Sequence, residues 1–600
     1  MNLLDWLPVA TAGGLILNAV RLRDRLSGLR RVRAAESVRD DYAVITGVGA
    51  DLHERVRSAA IAHAHRTGAQ VLDLVPCDLP VQRVLDLARS VDLGSYARNL
   101  AGPGRGAGHA MLVAPGVLSR AASTAGTLAP GEFGAATARL RQYVATAGIV
   151  VVPGPAAASA DASRRAWLRG LGEPVELILA GTMAAWTLVL AGLLVQPAAG
   201  LAALGAYCAV PYIVCAGTAL RPRDLHRAAL LRPVLTPWTC WRTLRGPRSS
   251  WELDRAARLD EARAHYRPEL AQGVERFLER PRNDCPWCGS LAVKLHVSCR
   301  DIIQAKPGRF RLDRCRDCGH VFQNPRLTVA GLDFYYRDVY DGLGAEAAER
   351  VFAGQAFWYR ARAAMVAAHT APGTWLDVGT GHGHFPRTAA AVLPGTVFDG
   401  LDLGDGVAEA QRRGWIRRGY QGQFPELVDE LAGRYDVISM HHYLEHTRDP
   451  FNELDTAVKV LGPGGHLLIE VPDPECVYGR LLRGFWIPWL PPQHQHLFPI
   501  ENLKRALTAR GLEVVAEARR SAQQGPDLPG AVLAALNLLG PDPARPWGPA
   551  PGMADHGRRV LALLLAGPLL LIAFGAQYAM RPFVRSHSNA YRILARVAAG

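Results

Sequence analysis

"TWLDVGTGHGHFP", Thr374 to Pro386, decides how the second half of this 600-residue chain folds. An apolar run of strand length carries Asp377 at its end. Glycines occupy alternate positions after it (Gly379, Gly381, Gly383), and a helix-compatible stretch comes next. Strand, glycine turn and helix open a parallel α/β sheet, because glycines let a bound nucleotide press against the backbone at the strand's carboxyl end. A dinucleotide fold would need glycine at position 384, which is His384, and Pro386 lies just beyond, so that spacing fails. The carboxylate at the head of the loop argues against a pyrophosphate and for a cationic, amino-acid-bearing ligand.

The downstream motifs strengthen this reading. "TVFDGLDLG" (396–404) is a second strand with Asp402 near its end, where a carboxylate can take both hydroxyls of a ribose. "YQGQFPEL" (420–427) fits a third strand and its loop, with Gln423 placed to reach adenine. "YDVISMHHYLEHTRDP" (435–450) is a fourth strand running into a helix, and "LGPGGHLLIEVP" (461–472) a turn and fifth strand. "LKRALTARGLEVVAEA" (503–518) supplies a last helix and strand. This order of motifs, over about 326–521, closely resembles the class I S-adenosylmethionine-dependent methyltransferases. The resemblance implies an α/β fold with a doubly wound, seven-stranded sheet and S-adenosyl-L-methionine as cofactor. By that match Asp377, Gly379, Gly381 and Gly383 hold the methionyl part, Asp402 the ribose, and Gln423 and Phe424 the adenine edge. Met440 and His441 would line the floor.

The stretch after the fourth strand is rich in ionisable groups: His441, His442, Glu445 and His446. If it begins a helix, positions 442, 445 and 446 share a face. It resembles the ubiquinone-pathway O-methyltransferases, where a Glu-x-x-Glu-His run at this place serves a divalent metal. Here His442 replaces the first glutamate, and imidazole prefers softer metals than Mg²⁺. Three readings stay open: acid–base or hydrogen-bonding work by His446 and Glu445, a structural role, or a second divalent cation. "PPQHQHLFPIENL" (491–503) offers His494 or His496 as an alternative base facing the acceptor. "FYYRDVYDG" (334–342) reads as a lid with Tyr336 and Tyr340 near the ligands, aromatic packing being the simpler alternative.

Upstream, "CPWCG" (285–289) and "CRDCG" (315–319) are two C-x-x-C-G turns. Two thiolates from each turn (Cys285, Cys288, Cys315, Cys318) make a closed tetrahedral Zn²⁺ site, which stabilises and leaves no open position for catalysis. The intervening residues read as short strands, hence a zinc ribbon, with His296 and Cys299 as spectators. A redox pair would need a βαβ context that neither turn has. The ribbon with "RCRDCGHVFQNPR" (314–326) resembles the one preceding many bacterial small-molecule and sugar methyltransferases.

The formal net charge of +14 comes almost wholly from Arg, since Lys occurs only at 294, 306, 459 and 504. No arginine run is interleaved with aromatics as a strand-binding groove requires, so no nucleic-acid partner is expected. Membrane lipid explains the charge better, and the 49% apolar content points the same way. Residues 1–40 read as an apolar anchor and basic segment. Residues 41–170 alternate short apolar runs with helix-period stretches, an α/β region without a nameable motif; Asp40, Asp41 and Asp73 suggest a glycosyltransferase only weakly. "LILAGTMAAWTLVLAGLLV" (177–195) and "LAALGAYCAVPYIVCAGTAL" (201–220) each match a bilayer core of about 30 Å. Arginines on both flanks make the pair a transmembrane hairpin (175–220) with cytoplasmic ends. A helical linker (221–280), the ribbon (281–325), the methyltransferase region (326–521) and a Pro/Gly linker (522–557) come next. A C-terminal membrane segment and tail (558–600), with Pro568 inside its apolar run, complete the expected order. Paired C-x-x-C turns, rather than a disulfide framework, fit a reducing compartment.

The expectation is therefore a multi-pass cell-membrane enzyme with its methyltransferase domain on the cytoplasmic side. Its partner would be a small-molecule, lipid-linked or sugar acceptor, with O-methylation favoured. Two alternatives are a bifunctional envelope-glycan enzyme with a glycosyltransferase-like N-terminal half, and a non-catalytic S-adenosylmethionine-binding membrane scaffold. The oligomeric state is not readable from sequence.

Overall fold

The computed structural model describes residues 6–598 apart from 34–40, 97–107, 154–163, 171–174, 247–249, 520–521, 523–524, 550 and 581–587. It divides into two compact units, Met1–Ala257 and Arg258–Gly600.

In the first unit, strands β1 (Ala43–Gly47), β2 (Val71–Pro76), β3 (Ala110–Val113), β4 (Gly126–Leu128) and β5 (Ala147–Val152) form a mixed sheet ordered β4-β1-β3-β2-β5. β3 runs antiparallel to both of its neighbours. Asp73 is fully buried on β2 within the field of Arg141 and Tyr96, and Asp41 pairs with His65 at 3.0 Å. Neither forms an open acidic site, and Asp40 lies outside the described residues.

The apolar helices Val175–Val195 and Pro197–Cys215 leave and re-enter one hydrophobic core. Val175 and Leu179 at one end, and Val210, Val214 and Cys215 at the other, pack with Ile45, Val71 and Val75 of the sheet. The Leu7–Leu26 helix packs along Pro197–Cys215, and Ala19, Leu22 and Leu26 join that core. Residues 7–26 are thus an integrated helix of this unit. The helix Leu225–Leu244 exposes Leu230, Val234, Trp238 and Trp241 in a stripe. Among the described residues three helices, Ile178–Val195, Pro197–Cys215 and Met553–Met580, are long and apolar enough to cross a membrane by length and composition.

The second unit holds two sheets. The antiparallel ribbon consists of β6 (Val293–Cys299), β7 (Phe310–Cys315) and β8 (Val321–Gln323). The main sheet begins with β9 (Thr374–Val378), β10 (Val397–Asp402), β11 (Gly419–Gln421), β12 (Tyr435–His441) and β13 (Leu461–Pro472), all parallel. A short strand, β14 (His496–Leu497), pairs with β8, so the insertion after β13 extends the ribbon. β15 (Leu512–Ala518) and β16 (Ala590–Val597) complete the main sheet in the order β11-β10-β9-β12-β13-β16-β15. β16 runs antiparallel to both of its neighbours.

The seven-stranded doubly wound sheet is as expected, but the source of its seventh strand is not. β16 comes from the segment whose sequence suggested a membrane segment and tail, so the domain does not end at 521. "AYRILARV" is buried from Ala590 through Ala595 between two strands, and Tyr591, Ile593 and Ala595 fill the core under β13. Residues 519–589 are therefore an insertion between two neighbouring strands of one sheet.

Candidate active site and cysteine cluster

The loop after β9 passes through left-handed backbone at Gly379, Gly381 and Gly383, with φ of 76°, 53° and 77°. A Cβ at 379 would lie 2.8 Å from Tyr443 Cδ2, and one at 383 would lie 2.7 Å from Ala410 Cβ. At 381 it would meet nothing within 4 Å, so the middle glycine leaves its backbone open to a ligand. Gly381 N–H donates to Asp402 Oδ2 (2.8 Å) and Gly404 N–H to Oδ1 (2.9 Å), which ties the loop to the end of β10. Asp377 accepts from Ser439 Oγ at 2.6 Å, and burial pushes its carboxyl up to about 7. Burial also raises Asp402. Two desolvated carboxylates flanking an open glycine backbone fit a ligand that carries an ammonium group and a vicinal diol.

Gln423 is exposed and donates to Glu426 Oε1 at 2.8 Å. Phe424 and Met440 are 0% exposed and belong to the core with Leu376, Leu401 and Ile469. Both side chains pack in the core of the sheet. His441 does present buried polar atoms: both ring nitrogens lack a partner among the described residues, and its ring stands edge-on to Phe385 at 4.5 Å. Burial holds its pKa well below the usual value.

Beyond His441 the chain does not start a helix. His442 sits at φ 50°, a 3₁₀ turn covers Leu444–His446, and the α-helix begins only at Pro450, where Asp449 caps the Asn452 N–H at 3.1 Å. The turn, not a helical face, brings the groups together. His442 Nδ1 lies 3.1 Å from Glu445 Oε1, and its Nε2 lies 3.5 Å from Glu470 Oε1. Burial opposes its charge, but these two carboxylates prevail and raise its pKa to about 9. These two carboxylates favour the charged imidazolium at this position.

Sequence reading missed the partners behind it. Glu470, 0% exposed at the end of β13, accepts from Arg362 Nε (2.9 Å) and Arg592 Nε (2.7 Å). A glutamate inside "LLIEVP" was the available signal, because a buried carboxylate needs a cation.

Glu445, His446 and His494 form a cluster, with potential ligand atoms within 4.8 Å of one another. Glu445 is fully buried, and its Oε2 has no hydrogen-bond partner among the described residues. His494 Nδ1 donates to the Pro488 carbonyl at 2.8 Å, which leaves Nε2 its lone pair. Burial pushes His494 down to about 3 and also lowers His446. Tyr336 OH bonds His446 Nδ1 and lies 3.2 Å from the Gln493 carbonyl. Tyr340 stands 6.4 Å from Tyr336, ring to ring, and stacks on Phe352, so Tyr336 meets both Tyr340 and the cluster. His496 is elsewhere. On β14 its Nδ1 is 3.1 Å from His320 Nε2 and its ring stacks on Phe498, so it buttresses the ribbon while His494 joins the cluster.

In the ribbon, Cys285 Sγ is 3.7 Å from Cys318 Sγ, and Cys288 Sγ is 3.6 Å from Cys315 Sγ. Two thiolates at about 2.3 Å from one tetrahedral ion would be about 3.8 Å apart, whereas a disulfide needs about 2.05 Å. The four sulfurs thus have the spacing of a thiolate metal site. His296 and Cys299 fall outside the cluster. Trp287, between the first two cysteines, stacks on Phe451 at 4.4 Å and joins the ribbon to the helix Pro450–Val460.

Residues 349–517 match a family model described as a methyltransferase domain. The ubiquinone biosynthesis O-methyltransferase of Vibrio parahaemolyticus serotype O3:K6 is 32% identical over 100 residues, 16% of this chain and 42% of that protein. The protein of that name from Proteus mirabilis is 33% identical over 100 residues, 16% of this chain and 40% of that one. The chain thus spans less than half the length of these curated relatives. A solved S-adenosylmethionine-dependent methyltransferase from Archaeoglobus fulgidus aligns over 41% of this chain and 97% of its own, at 18% identity and a TM-score of 0.26. With the glycine loop, Asp402 and the strand order already described, the family match identifies residues 349–517 as a class I S-adenosylmethionine-dependent methyltransferase domain.

Proposed function

We propose that this protein is a membrane-anchored methyltransferase that O-methylates a small, lipid-linked or glycosylated acceptor on the cytoplasmic side, with a structural Zn²⁺ in its ribbon. One observation carries the chemistry: the Glu445–His446–His494 cluster lies directly beyond the strand that neighbours the Asp377 glycine loop. Asp377 would take the methionyl ammonium, the open backbone at Gly381 the ligand's flank, and Asp402 the ribose hydroxyls. Bound S-adenosylmethionine would supply an electrophilic methyl group on a sulfonium.

The residues themselves then have defined work. Burial keeps His446 neutral and able to accept a proton. Tyr336 has one hydroxyl proton. When it goes to the Gln493 carbonyl, the hydroxyl accepts from His446 Nδ1–H and Nε2 is left as the base. His446 Nε2 would remove the acceptor's hydroxyl proton as the oxygen–methyl bond forms, and Glu445 would stabilise the resulting imidazolium. Such a base contributes roughly 10²–10⁴-fold. Orientation of the two substrates contributes roughly 7–11 kcal/mol.

The likeness to relatives named ubiquinone biosynthesis O-methyltransferases supports an oxygen acceptor. The hairpin of Val175–Val195 and Pro197–Cys215 supports a membrane anchor. The test is mass spectrometry of lipid and metabolite extracts from cells with and without the gene, supplied with methyl-labelled methionine. A labelled product heavier by one methylene is expected. Its absence from every fraction, with active purified protein in hand, would remove the acceptor class.

A further inference from the structure

The helix Met553–Met580 looks like a transmembrane span, yet the fold constrains it. β15 and β16 are neighbours from Leu512↔Val597 to Ala518↔Arg592, so both ends of the 519–589 insertion lie on one side of any membrane. The long helix has 28 residues, about 42 Å at about 1.5 Å per residue, which exceeds a core of about 30 Å. If it crossed, the chain would have to return between Met580 and Ser588. Eight steps reach at most about 29 Å, short of the hydrocarbon thickness alone. The preceding helix Asp527–Leu539 has 13 residues, about 20 Å, and cannot be the second leg.

The two helices instead form an antiparallel hairpin. Gln577 accepts from Leu528 N–H (2.9 Å) and donates to the Gly525 carbonyl (3.0 Å) at one end. Arg559 donates to the Gly540 carbonyl (2.9 Å) at the other. Even so paired, the long helix leaves Leu561, Leu564, Leu571, Ile572 and Phe574 more than half exposed. Arg558 and Arg559 precede this apolar stretch, which suits anionic headgroups at the start of a helix lying in the interface.

We infer that residues 527–580 are a monotopic hairpin that embeds the long helix in the cytoplasmic leaflet and does not cross the bilayer. Its occupant is anionic lipid. The hairpin is fixed to the wall of the acceptor side. Asp527 accepts from Trp486 Nε1 at 2.8 Å, and Leu528 and Met580 pack with Trp486 and Trp489, just ahead of His494. An acceptor dissolved in the leaflet would therefore meet the catalytic cluster beside the surface that holds the enzyme down.

The test uses the full chain in sealed membrane vesicles of both orientations. Pro549→Cys and Arg596→Cys, exposed positions before and after the long helix, are treated with an impermeant maleimide and read site by site by peptide mass spectrometry. Both should label from the same face. Labelling from opposite faces would overturn the inference. Nitroxides at Leu564→Cys and Leu571→Cys should contact lipid no deeper than one leaflet, about 15 Å. Exposure of these probes to water, or burial against a second copy, would also overturn it. S-adenosylmethionine binding measured on the same variants reports separately on the methyltransferase reading.

Discussion

Replacing Glu470 with Gln removes the one negative charge that Arg362, Arg592 and His442 share. Both arginines are about 97% buried at the side chain and cannot shed their protons. Breaking such a buried pair costs about 3–5 kcal/mol. At about 2–4 °C per kcal/mol, the methyltransferase unit should lose roughly 6–20 °C in Tm. The loss should also depend on pH. His442 has a folded pKa of about 9 against an ordinary 6.5, so the stability it lends is complete below 6.5 and is lost as pH rises through 9. With Glu470 neutralised, the imidazole keeps only Glu445 and releases its proton at lower pH. The Tm gap between wild type and variant should therefore be widest at pH 6.5 and narrow towards pH 9. Thermal melts of the full chain at both values check this. A Tm loss under about 2 °C at pH 6.5 would refute the claim that this carboxylate holds the C-terminal strand to the site.

Three further outcomes concern the site and the ribbon. His446→Ala should lower kcat about 100-fold or more while S-adenosylmethionine affinity stays within about threefold; loss of affinity with kcat intact would make the turn structural. Gly379→Ala places a Cβ 2.8 Å from Tyr443 at a φ of 76°, so it should abolish cofactor binding before it abolishes folding, as read by calorimetry beside circular dichroism. Cys318→Ser should take bound zinc, measured by plasma mass spectrometry, from about one per chain to near zero and lower Tm; unchanged zinc would move the site elsewhere.

Much of this architecture was legible because its determinants are local. The Asp377 loop, Asp402 and the two C-x-x-C-G turns each declare themselves within a few residues, and the structure gathers each group as spacing implied. The features that escaped depend on distant pairing. β16 lies beyond an apolar helix that resembles a chain's final anchor, and nothing within "AYRILARV" names β13 and β15 as its neighbours. The role of His442 turned on a positive φ and on Glu470, neither readable from a histidine-rich run. His494 and His496 stand two residues apart, yet one faces Glu445 and the other the ribbon, because the chain turns out of the acceptor loop into β14 between them. Phe424 and Met440, placed at the cofactor by resemblance, are claimed by the core. The N-terminal sheet was readable as α/β from its short apolar runs, but its chemistry was not.

The glycine loop between Asp377 and Asp402 is proposed to hold S-adenosylmethionine for a reaction at the adjoining cluster. Calorimetric titration of S-adenosylmethionine into the purified full chain, wild type beside Asp402→Ala, tests it most directly. A saturable site of about one per chain is expected, weakened about 10–100-fold in the variant by loss of hydrogen bonds to a charged carboxylate. No binding to the wild type, or equal binding to both, would contradict the account.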